Sequence, residues 1–254
     1  MQTKIDNNII ALAHKMADAA GEILRQAYRK PITVDQKSDA SPVTLADREV
    51  EAAMRALIES HYPEHGIIGE EYGNVRENSP YQWVLDPIDG TRSFIAGYPL
   101  FTTLIALAYE GVPLLGLIDQ PILKERWIGV SGVNTALATN TKTMLSQALL
   151  NTTSTDYFTA EQANLFKNLK AKCANTALGG DAYAYAMLAN GRIDIIVDGG
   201  MKPYDFCALK PVIESMGGVI TDWTGKPLTT MSDGSVLAAA NSDLHKSALA
   251  FLRV

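Results

Sequence analysis

Apolar side chains recur at a helical period over the first 28 residues. They occupy Ile5, Ile9, Leu12, Met16, Ala19, Ile23 and Leu24. A spacing of three to four residues is typical of one face of an amphipathic helix. Pro31 ends this pattern, and a loop is expected over 37–42. The period returns from Thr44 and stops before Pro63, which predicts a second helix.

The pattern changes to short apolar runs after residue 65. Runs at 66–73 and 81–86 predict strands, 91–96 fits a short helix, and 101–119 followed by 126–130 predicts an antiparallel meander. The second half alternates, with helices predicted at 160–169, 181–189, 205–216 and the C-terminus, and strands at 174–178, 192–199, 219–223 and 236–241. We therefore expect an α/β protein whose two halves join near 135–150.

Composition excludes several classes of protein. With 254 residues and 47% hydrophobic residues, the chain can bury a full core, so disorder is disfavoured. No apolar run reaches the roughly 18 residues of a membrane span, and the N-terminus lacks a signal-peptide core, so a cytoplasmic protein is expected. Two cysteines, Cys173 and Cys207, predict buried reduced thiols. A formal charge of −6 without a basic run disfavours nucleic acid as a partner.

The stretch VLDPIDGT, residues 84–91, sets two carboxylates around a proline. Pro87 favours an extended Asp86, which should end the strand, while Asp89 lies a turn later, so both side chains can face one point. Gly90 and Thr91 should open a helix whose N–H groups favour an anion. Carboxylates beside phosphate suit Mg²⁺. Taken alone, however, the stretch favours an ordinary turn over a metal site.

Other acidic residues at element ends favour the metal site. Glu70 and Glu71 follow an apolar run, and Asp205 opens a predicted helix. A solvated loop pair and a helix N-cap are the structural alternatives. Asp47 fits a capping box in TLAD, residues 44–47, and could at the same time orient another group.

Three motifs in this order are similar to those of a known family. GEE at 69–71, WVLDPIDGT at 83–91 and YDFCALKPVIESMGG at 204–218 resemble the inositol monophosphatase family of Mg²⁺-dependent, lithium-sensitive phosphatases. The resemblance covers nearly the whole chain and implies an alternating αβαβα layered fold and a homodimer. It also implies an N-terminal α+β half, 1–140, with the metal-binding motifs, and a C-terminal half, 141–254, that completes the active site.

The resemblance implies a set of Mg²⁺ ligands, with two or three ions per active site. Glu70, Asp86 and the carbonyl of Ile88 would hold the first ion. Asp86, Asp89 and Asp205 would hold the second, with Asp86 bridging the two. The acidic motifs identified above thus become one metal centre.

Catalytic roles are implied in the same way. Thr91, hydrogen-bonded to Asp47, would position and deprotonate the attacking water, and Glu70 is the third residue expected to be catalytic. Lys37 and Glu71 would support the outer shell. This agrees with the general chemistry of metal-activated water attack on a phosphate monoester.

The pocket residues point to one branch of the family. The segments 89–107, 178–198 and 201–218 look most like histidinol-phosphatases, which hydrolyse L-histidinol phosphate in histidine biosynthesis. The N–H groups of Gly90 and Thr91 would bind phosphate, and Asp181, Asp198 and Arg192 complete the expected substrate-binding set. Acidic partners suit a cationic substrate. An N-cap role for Asp181 and a turn role for Asp198 are the alternatives.

Two other functions stay open. The same chemistry on inositol phosphate or a sugar phosphate would use every catalytic residue and differ only in the pocket. A binding or regulatory protein on this fold would be expected to lack metal ligands and to carry a charged docking surface, and neither is seen. Tyr183 and Tyr185, on a predicted helix, are both expected in core or dimer packing, with a place at the pocket edge as the alternative for Tyr183.

Overall fold

The two N-terminal helices form as their apolar period predicts. The structure, a computed structural model, describes residues 5–31, 33–36, 42–135 and 139–253. Helix α1 spans Asn7–Ala27, capped by Asp6, and α2 spans Leu45–His61. Their buried faces pack on the same sheet, since Leu12, Met16 and Met54 are fully or almost fully buried in one core with the strands described next.

A six-stranded sheet follows α2. Its strands are β3 (Gly66–Gly69), β4 (Gly73–Val75), β5 (Tyr81–Asp89), β6 (Thr102–Tyr109), β7 (Val112–Gln120) and β8 (Glu125–Val130), in the order β4-β3-β5-β6-β7-β8. Only the β3/β5 pair is parallel among these described strands, so the expected meander is confirmed. A separate hairpin of β1 (Val34–Gln36) and β2 (Pro42–Thr44) precedes α2.

A five-stranded mixed sheet forms the second half. Its strands are β9 (Leu149–Thr152), β10 (Asn175–Leu178), β11 (Ile195–Asp198), β12 (Val219–Thr221) and β13 (Val236–Ala239), in the order β10-β9-β11-β13-β12. Strand β9 was not predicted, because its four residues lie in the stretch where the pattern indicated only a join. It pairs in parallel with both β10 and β11, and so lies inside the sheet.

The remaining helices agree with the prediction except at one place. They are α3 (Thr91–Ala96), α4 (Ala160–Lys170), α5 (Asp181–Ala189), α6 (Pro203–Phe206), α7 (Leu209–Ser215) and α8 (Ser242–Leu252). A single helix over 205–216 was expected, and this is wrong: α6 and α7 are separate. Pro211 has no N–H to donate to the carbonyl of Cys207, so a continuous helix would lack a bond there.

Five layers result from this packing. Helices α1 and α2 cover one face of the six-stranded sheet. Helices α5, α6 and α7 lie between the two sheets, in a core that includes Leu104, Leu209 and Ala238. Helices α4 and α8 cover the outer face of the second sheet. The expected αβαβα arrangement is confirmed, and the middle core joins residues from both expected halves. None of the described helices is long and apolar enough to cross a membrane.

Candidate active site

One cavity collects the ends of elements from both sheets. Glu70 follows β3, Asp86 and Asp89 end β5, and Thr91 begins α3. Helix α5 begins with Asp181, β11 ends with Asp198, and α6 contains Asp205. The cavity is lined by these residues and by Ile88, Gly90, Arg92, Thr153, Tyr157, Ala182, Tyr185, Gly199, Gly200, Met201, Lys202 and Tyr204. The structure therefore brings the predicted metal-binding residues to one place.

The end of β5 differs from the prediction. The strand does not stop at Asp86 but continues to Asp89, with a register shift between them: Asp86 pairs with Leu104, and Asp89 pairs with Thr102. Inside this bulge, the Pro87 carbonyl accepts a hydrogen bond of 2.9 Å from Thr103 Oγ1. A bulge reorients the side chains of a strand. Both carboxylates consequently lie on the cavity.

Three carboxylates form the centre of the cavity. Each of Asp86, Asp89 and Asp205 offers an oxygen within 4.8 Å of the oxygens of the other two. Asp86 Oδ1 is buried and has no hydrogen-bond partner among the described residues. Burial raises the pKa of Asp86 well above its usual value, and the charges of Glu70, Asp89 and Asp205 raise it further. A hard cation satisfies such oxygens and neutralises their repulsion, so these residues fit Mg²⁺.

Backbone donors hold the other two carboxylates of the centre. Burial raises the pKa of Asp205 to about 7, although its Oδ2 accepts a 2.6 Å hydrogen bond from Lys202 N. Burial and then the charge of Asp181 raise the pKa of Asp89, whose Oδ2 accepts a 2.6 Å bond from Ala182 N. Asp205 is the third residue of α6 and caps the helix start, so the capping alternative and the metal-binding geometry hold together.

Asp47 and Thr91 meet beside this centre. Asp47 Oδ2 accepts hydrogen bonds from Thr44 N at 2.7 Å and from Thr44 Oγ1 at 2.6 Å, as the capping box predicts. Its other oxygen lies 3.4 Å from Thr91 Oγ1, which also lies 3.0 Å from the Ile88 carbonyl oxygen. One buried carboxylate therefore both starts α2 and orients the threonine.

Asp181 lies against the VLDPIDGT turn in a constrained conformation. It has φ of 43° and follows Gly179 and Gly180, whose φ values are 82° and 101°. Its Oδ2 would lie 2.8 Å from a Cβ placed on Gly90, and the φ of 84° at Gly90 also favours glycine there. Ser93 Oγ lies 3.4 Å from the same oxygen. A strained residue facing a cavity favours a functional role over a simple helix cap.

Asp198 is held differently. It is 3% exposed, and its carboxylate accepts hydrogen bonds from Thr152 Oγ1, Thr153 N, Thr153 Oγ1 and Tyr185 OH. These donors occupy the lone pairs that a substrate would use. Asp198 thus contributes negative charge to the cavity wall, and it also ties β11 to the end of β9.

Comparison with known proteins identifies the family and the architecture. The model of the inositol monophosphatase family matches residues 6–253. The chain belongs to the inositol monophosphatase family. This family consists of metal-dependent phosphatases, so the chain is a phosphatase of this family. The family prediction is confirmed.

Three relatives show how near the resemblance is. The chain is 48% identical to the bifunctional phosphatase IMPL2, chloroplastic, of Arabidopsis thaliana, over 97% of this chain and 75% of that one. It is 33% identical to a histidinol-phosphatase of Chlorobaculum parvum, over 95% of both chains. A solved structure of an inositol monophosphatase from Zymomonas mobilis has 46% identity and a TM-score of 0.89, covering 97% of this chain and 98% of that one.

In this inositol monophosphatase family member, one described residue that was predicted to bind substrate, Arg192, does not line the cavity. Arg192 is exposed and lies beyond the C-terminal end of α5, whereas the cavity is at the N-terminal end of that helix. The nine residues of α5 separate the two ends by roughly 13 Å at 1.5 Å per residue. Lys37 lies outside the described residues. Glu71 is half-buried next to Glu70, consistent with an outer position.

Residues that sequence reasoning missed complete the cavity wall. Tyr185, expected in packing, is fully buried and donates to Asp198 Oδ2 at 2.9 Å, while the hydroxyl of Tyr183 donates to Glu125 instead. At the rim, Arg92 Nη1 donates to Tyr157 OH at 3.0 Å. No local pattern marks Tyr157, because it reaches the cavity only through the packing of the second sheet against the first.

Proposed function

We propose that this protein is a Mg²⁺-dependent phosphomonoesterase that hydrolyses L-histidinol phosphate to L-histidinol and phosphate. The observation that carries the proposal is the carboxylate of Asp181, held at positive φ against Gly90 in the same cavity wall as the buried carboxylate of Asp198. This gives the substrate end of the cavity a negative charge. Histidinol phosphate carries an ammonium group and an imidazole, which such a wall attracts.

The metal-binding set follows from the donors in the cavity. Glu70, Asp86, Asp89, Asp205 and the carbonyl of Ile88 would hold two or three Mg²⁺ ions, and the unpartnered Asp86 Oδ1 supports this set. When bound, Mg²⁺ supplies Lewis-acid activation of water and of the phosphoryl oxygens.

The remaining chemistry belongs to side chains and backbone near α3. The hydroxyl of Thr91 donates towards Asp47 Oδ1. A lone pair of Thr91 Oγ1 is then available to accept a hydrogen bond from the attacking water and orient it. Asp47 receives the proton that this relay releases. The N–H groups of Gly90 and Thr91, at the start of α3, bind the phosphate. Positioning of the water and the phosphate supplies a large part of the rate.

Asp181 and Asp198 have different parts in substrate selection. Asp181 accepts the substrate ammonium directly. Asp198 acts through its charge, because its oxygens are already hydrogen-bonded within the protein. That charge reaches Asp181, since burial raises the pKa of Asp181 most and the charge of Asp198 raises it further. The name of one relative supports this choice, the histidinol-phosphatase of Chlorobaculum parvum.

Inositol 1-phosphate is the second candidate substrate. The solved relative from Zymomonas mobilis, named an inositol monophosphatase, favours it. The two substrates differ in charge, since inositol carries only hydroxyl groups beside its phosphate. A homodimer also stays a prediction, supported by the exposed apolar side chains of Ile95, Tyr98 and Leu100 after the active-site turn.

Phosphate release from both substrates, with Mg²⁺ and with chelator, tests the proposal. We expect Asp181→Asn to raise KM for histidinol phosphate about tenfold, because a charged hydrogen bond is worth roughly 1.5–3 kcal/mol. KM for inositol 1-phosphate should not rise. Asparagine tolerates the same backbone conformation, and Asp243→Asn, in the first turn of α8, is the matched control. Turnover unaffected by chelator, or a clear preference for inositol 1-phosphate, contradicts the proposal.

A further inference from the structure

We propose that Glu51, a buried carboxylate on α2, is a positioning residue that fixes the turn carrying Glu70 and thereby sets the affinity of the enzyme for its metal. The inference rests on the proposed function in one respect, since it takes Glu70 as a metal ligand. Glu51 does not line the cavity, so it acts through the turn and not through the substrate.

The first support is the set of hydrogen bonds that Glu51 accepts. Glu51 is 0% exposed, and a glutamate is seldom fully buried unless its carboxylate is paired. Its Oε2 accepts Glu71 N at 2.7 Å, and its Oε1 accepts Tyr72 N at 3.1 Å. Two consecutive backbone N–H groups of the turn that directly follows Glu70 are therefore bonded to one side chain from a helix.

Arg55 holds the same turn from a second side. Its Nε donates to Glu51 Oε1 at 2.7 Å, and the pair lies almost entirely out of solvent, with the Arg55 side chain 14% exposed. Arg55 Nη2 also donates to the Gly73 carbonyl, and its guanidinium carbon lies 5.8 Å from the centre of the Tyr72 ring. The ion pair thus contacts residues 71, 72 and 73 in succession.

The residue before Glu70 is also shaped by this pair. A Cβ placed on Gly69 would collide with Glu51 Oε1 and Arg55 Nη2. The ion pair therefore packs directly on the backbone of Gly69, and only glycine leaves room for it. Glu70 is consequently bracketed, with Gly69 packed on the pair on one side and Glu71 and Tyr72 bonded to it on the other.

Helix α2 links this turn to the water-orienting residues. Glu51 lies four residues after Asp47, so both project from one face of the helix. Asp47 lies against Thr91, and Glu51 bonds the Glu70 turn. Val50 and Met54 lie on the same face of α2 and are fully buried in the core, so this face is held rigidly. One helix face therefore sets the separation between the expected metal ligand and the threonine.

Metal binding by Glu51→Gln tests the inference. The amide replaces one acceptor oxygen with an NH₂ group, so at least one of its three N–H donors loses its partner. We expect the dissociation constant for Mn²⁺ alone, measured by titration calorimetry, and the half-saturating Mg²⁺ concentration for activity to rise about 10- to 100-fold, the usual effect of losing an outer-shell partner. The kcat at saturating Mg²⁺ should fall far less. The control is Glu59→Gln, which removes an exposed carboxylate of the same helix that pairs with Arg76. It should change neither the Mn²⁺ dissociation constant nor the half-saturating Mg²⁺ concentration.

The outcomes separate the two proposals. Unchanged metal affinity in folded Glu51→Gln overturns the role of Glu51, whereas a wild-type protein that binds no Mn²⁺ overturns the proposed function. If circular dichroism shows that Glu51→Gln does not fold, Glu51→Asp replaces it, since this variant keeps the charge for Arg55 but withdraws it by one methylene. Weaker Mn²⁺ binding in that variant supports the inference, and wild-type affinity contradicts it.

Discussion

Glu51 and Asp86 are both buried acids, yet their surroundings are opposite. Glu51 is 0% exposed and accepts hydrogen bonds from Arg55 and from two backbone N–H groups. Asp86 is 2% exposed, its Oδ1 has no hydrogen-bond partner among the described residues, and its neighbours are other carboxylates. The two residues lie on either side of the same turn, within one fold.

The difference separates scaffold from site. Burying a charge is strongly unfavourable unless it is paired and hydrogen-bonded, and Glu51 meets this condition inside the protein. Asp86 does not, so burial and its acidic neighbours raise its pKa. A fold that keeps such an unfavourable arrangement marks a functional site, because nothing in the packing of β5 requires it. A bound cation supplies what the protein leaves out.

Replacing Asp86 should have the largest effect on activity, and it tests directly whether Asp86 differs from Glu51. We expect Asp86→Asn to lower kcat/KM about 1,000-fold, because several kcal/mol of metal-assisted stabilisation is lost. The metal-free protein should become more stable by about 1 kcal/mol, since one repelling charge disappears. Phosphate release and urea unfolding in the presence of chelator measure the two effects.

A buried aspartate outside the cavity provides the control. Asp194 is 1% exposed, and its Oδ1, like that of Asp86, has no hydrogen-bond partner among the described residues. Unlike Asp86, it is paired with a cation, because its Oδ2 accepts hydrogen bonds from Lys142 Nζ at 3.0 Å and Leu149 N at 2.8 Å. Asp194→Asn should lower stability and leave kcat almost unchanged. If Asp86→Asn destabilised the metal-free protein as Asp194→Asn does, Asp86 would belong with the scaffold.

The stability of the metal-free protein should depend on pH in a defined direction. The pKa of Asp205 is raised to about 7, and those of Asp86 and Asp89 are also raised, chiefly by burial. Between the unfolded pKa near 4 and these folded values, the native state binds more protons than the unfolded state. The contribution of these three carboxylates to the free energy of unfolding is therefore fully present below about pH 4, and it is lost as the pH rises through about 7.

Unfolding at pH 5 and pH 8 measures this effect. With chelator, we expect the free energy of unfolding to be lower at pH 8 by on the order of 2 kcal/mol. Saturating Mg²⁺ should reduce the difference, since the ion binds the deprotonated carboxylates. Asp205→Asn should flatten the profile, and a profile that rises towards pH 8 with chelator would contradict the assignment of these raised pKa values.

Local pattern predicted the scaffold, and the resemblance predicted which acids share the cavity, but neither showed how each acid is hydrogen-bonded. The period of α1 and α2 and the meander β6 to β8 agree with the structure because each buries one continuous face. Glu51 was missed because Glu four residues before Arg on a helix is the usual pattern of an exposed pair. Only the tertiary approach of the Glu70 turn buries it.

Two predicted substrate-binding residues show the same cause. Asp198 lines the cavity, but Thr152 and Thr153, which donate hydrogen bonds to its carboxylate, lie at the end of a strand that the pattern did not show. Arg192 was chosen from a motif, and the rigid length of α5 carries it away from the cavity. In both cases, distance along the chain gave no measure of distance in space.

Tyr185→Phe should have the smallest effect on activity, and it tests a buried acid, Asp198, that is hydrogen-bonded within the protein as Glu51 is. The change removes one of the donors to Asp198, the 2.9 Å bond from Tyr185 OH, and keeps the buried ring. We expect a loss of about 1 kcal/mol in unfolding free energy, typical of one hydrogen bond. Because Asp198 acts through its charge, KM for histidinol phosphate should change at most about twofold, with kcat unchanged.

The control is Tyr183→Phe, since the hydroxyl of Tyr183 donates to Glu125 instead. This change should have less effect on stability. A loss of kcat beyond about 1,000-fold in Tyr185→Phe would instead mean that its hydroxyl touches the reacting groups, since a supporting hydrogen bond to a charged group is worth at most about 3 kcal/mol and this loss corresponds to about 4 kcal/mol.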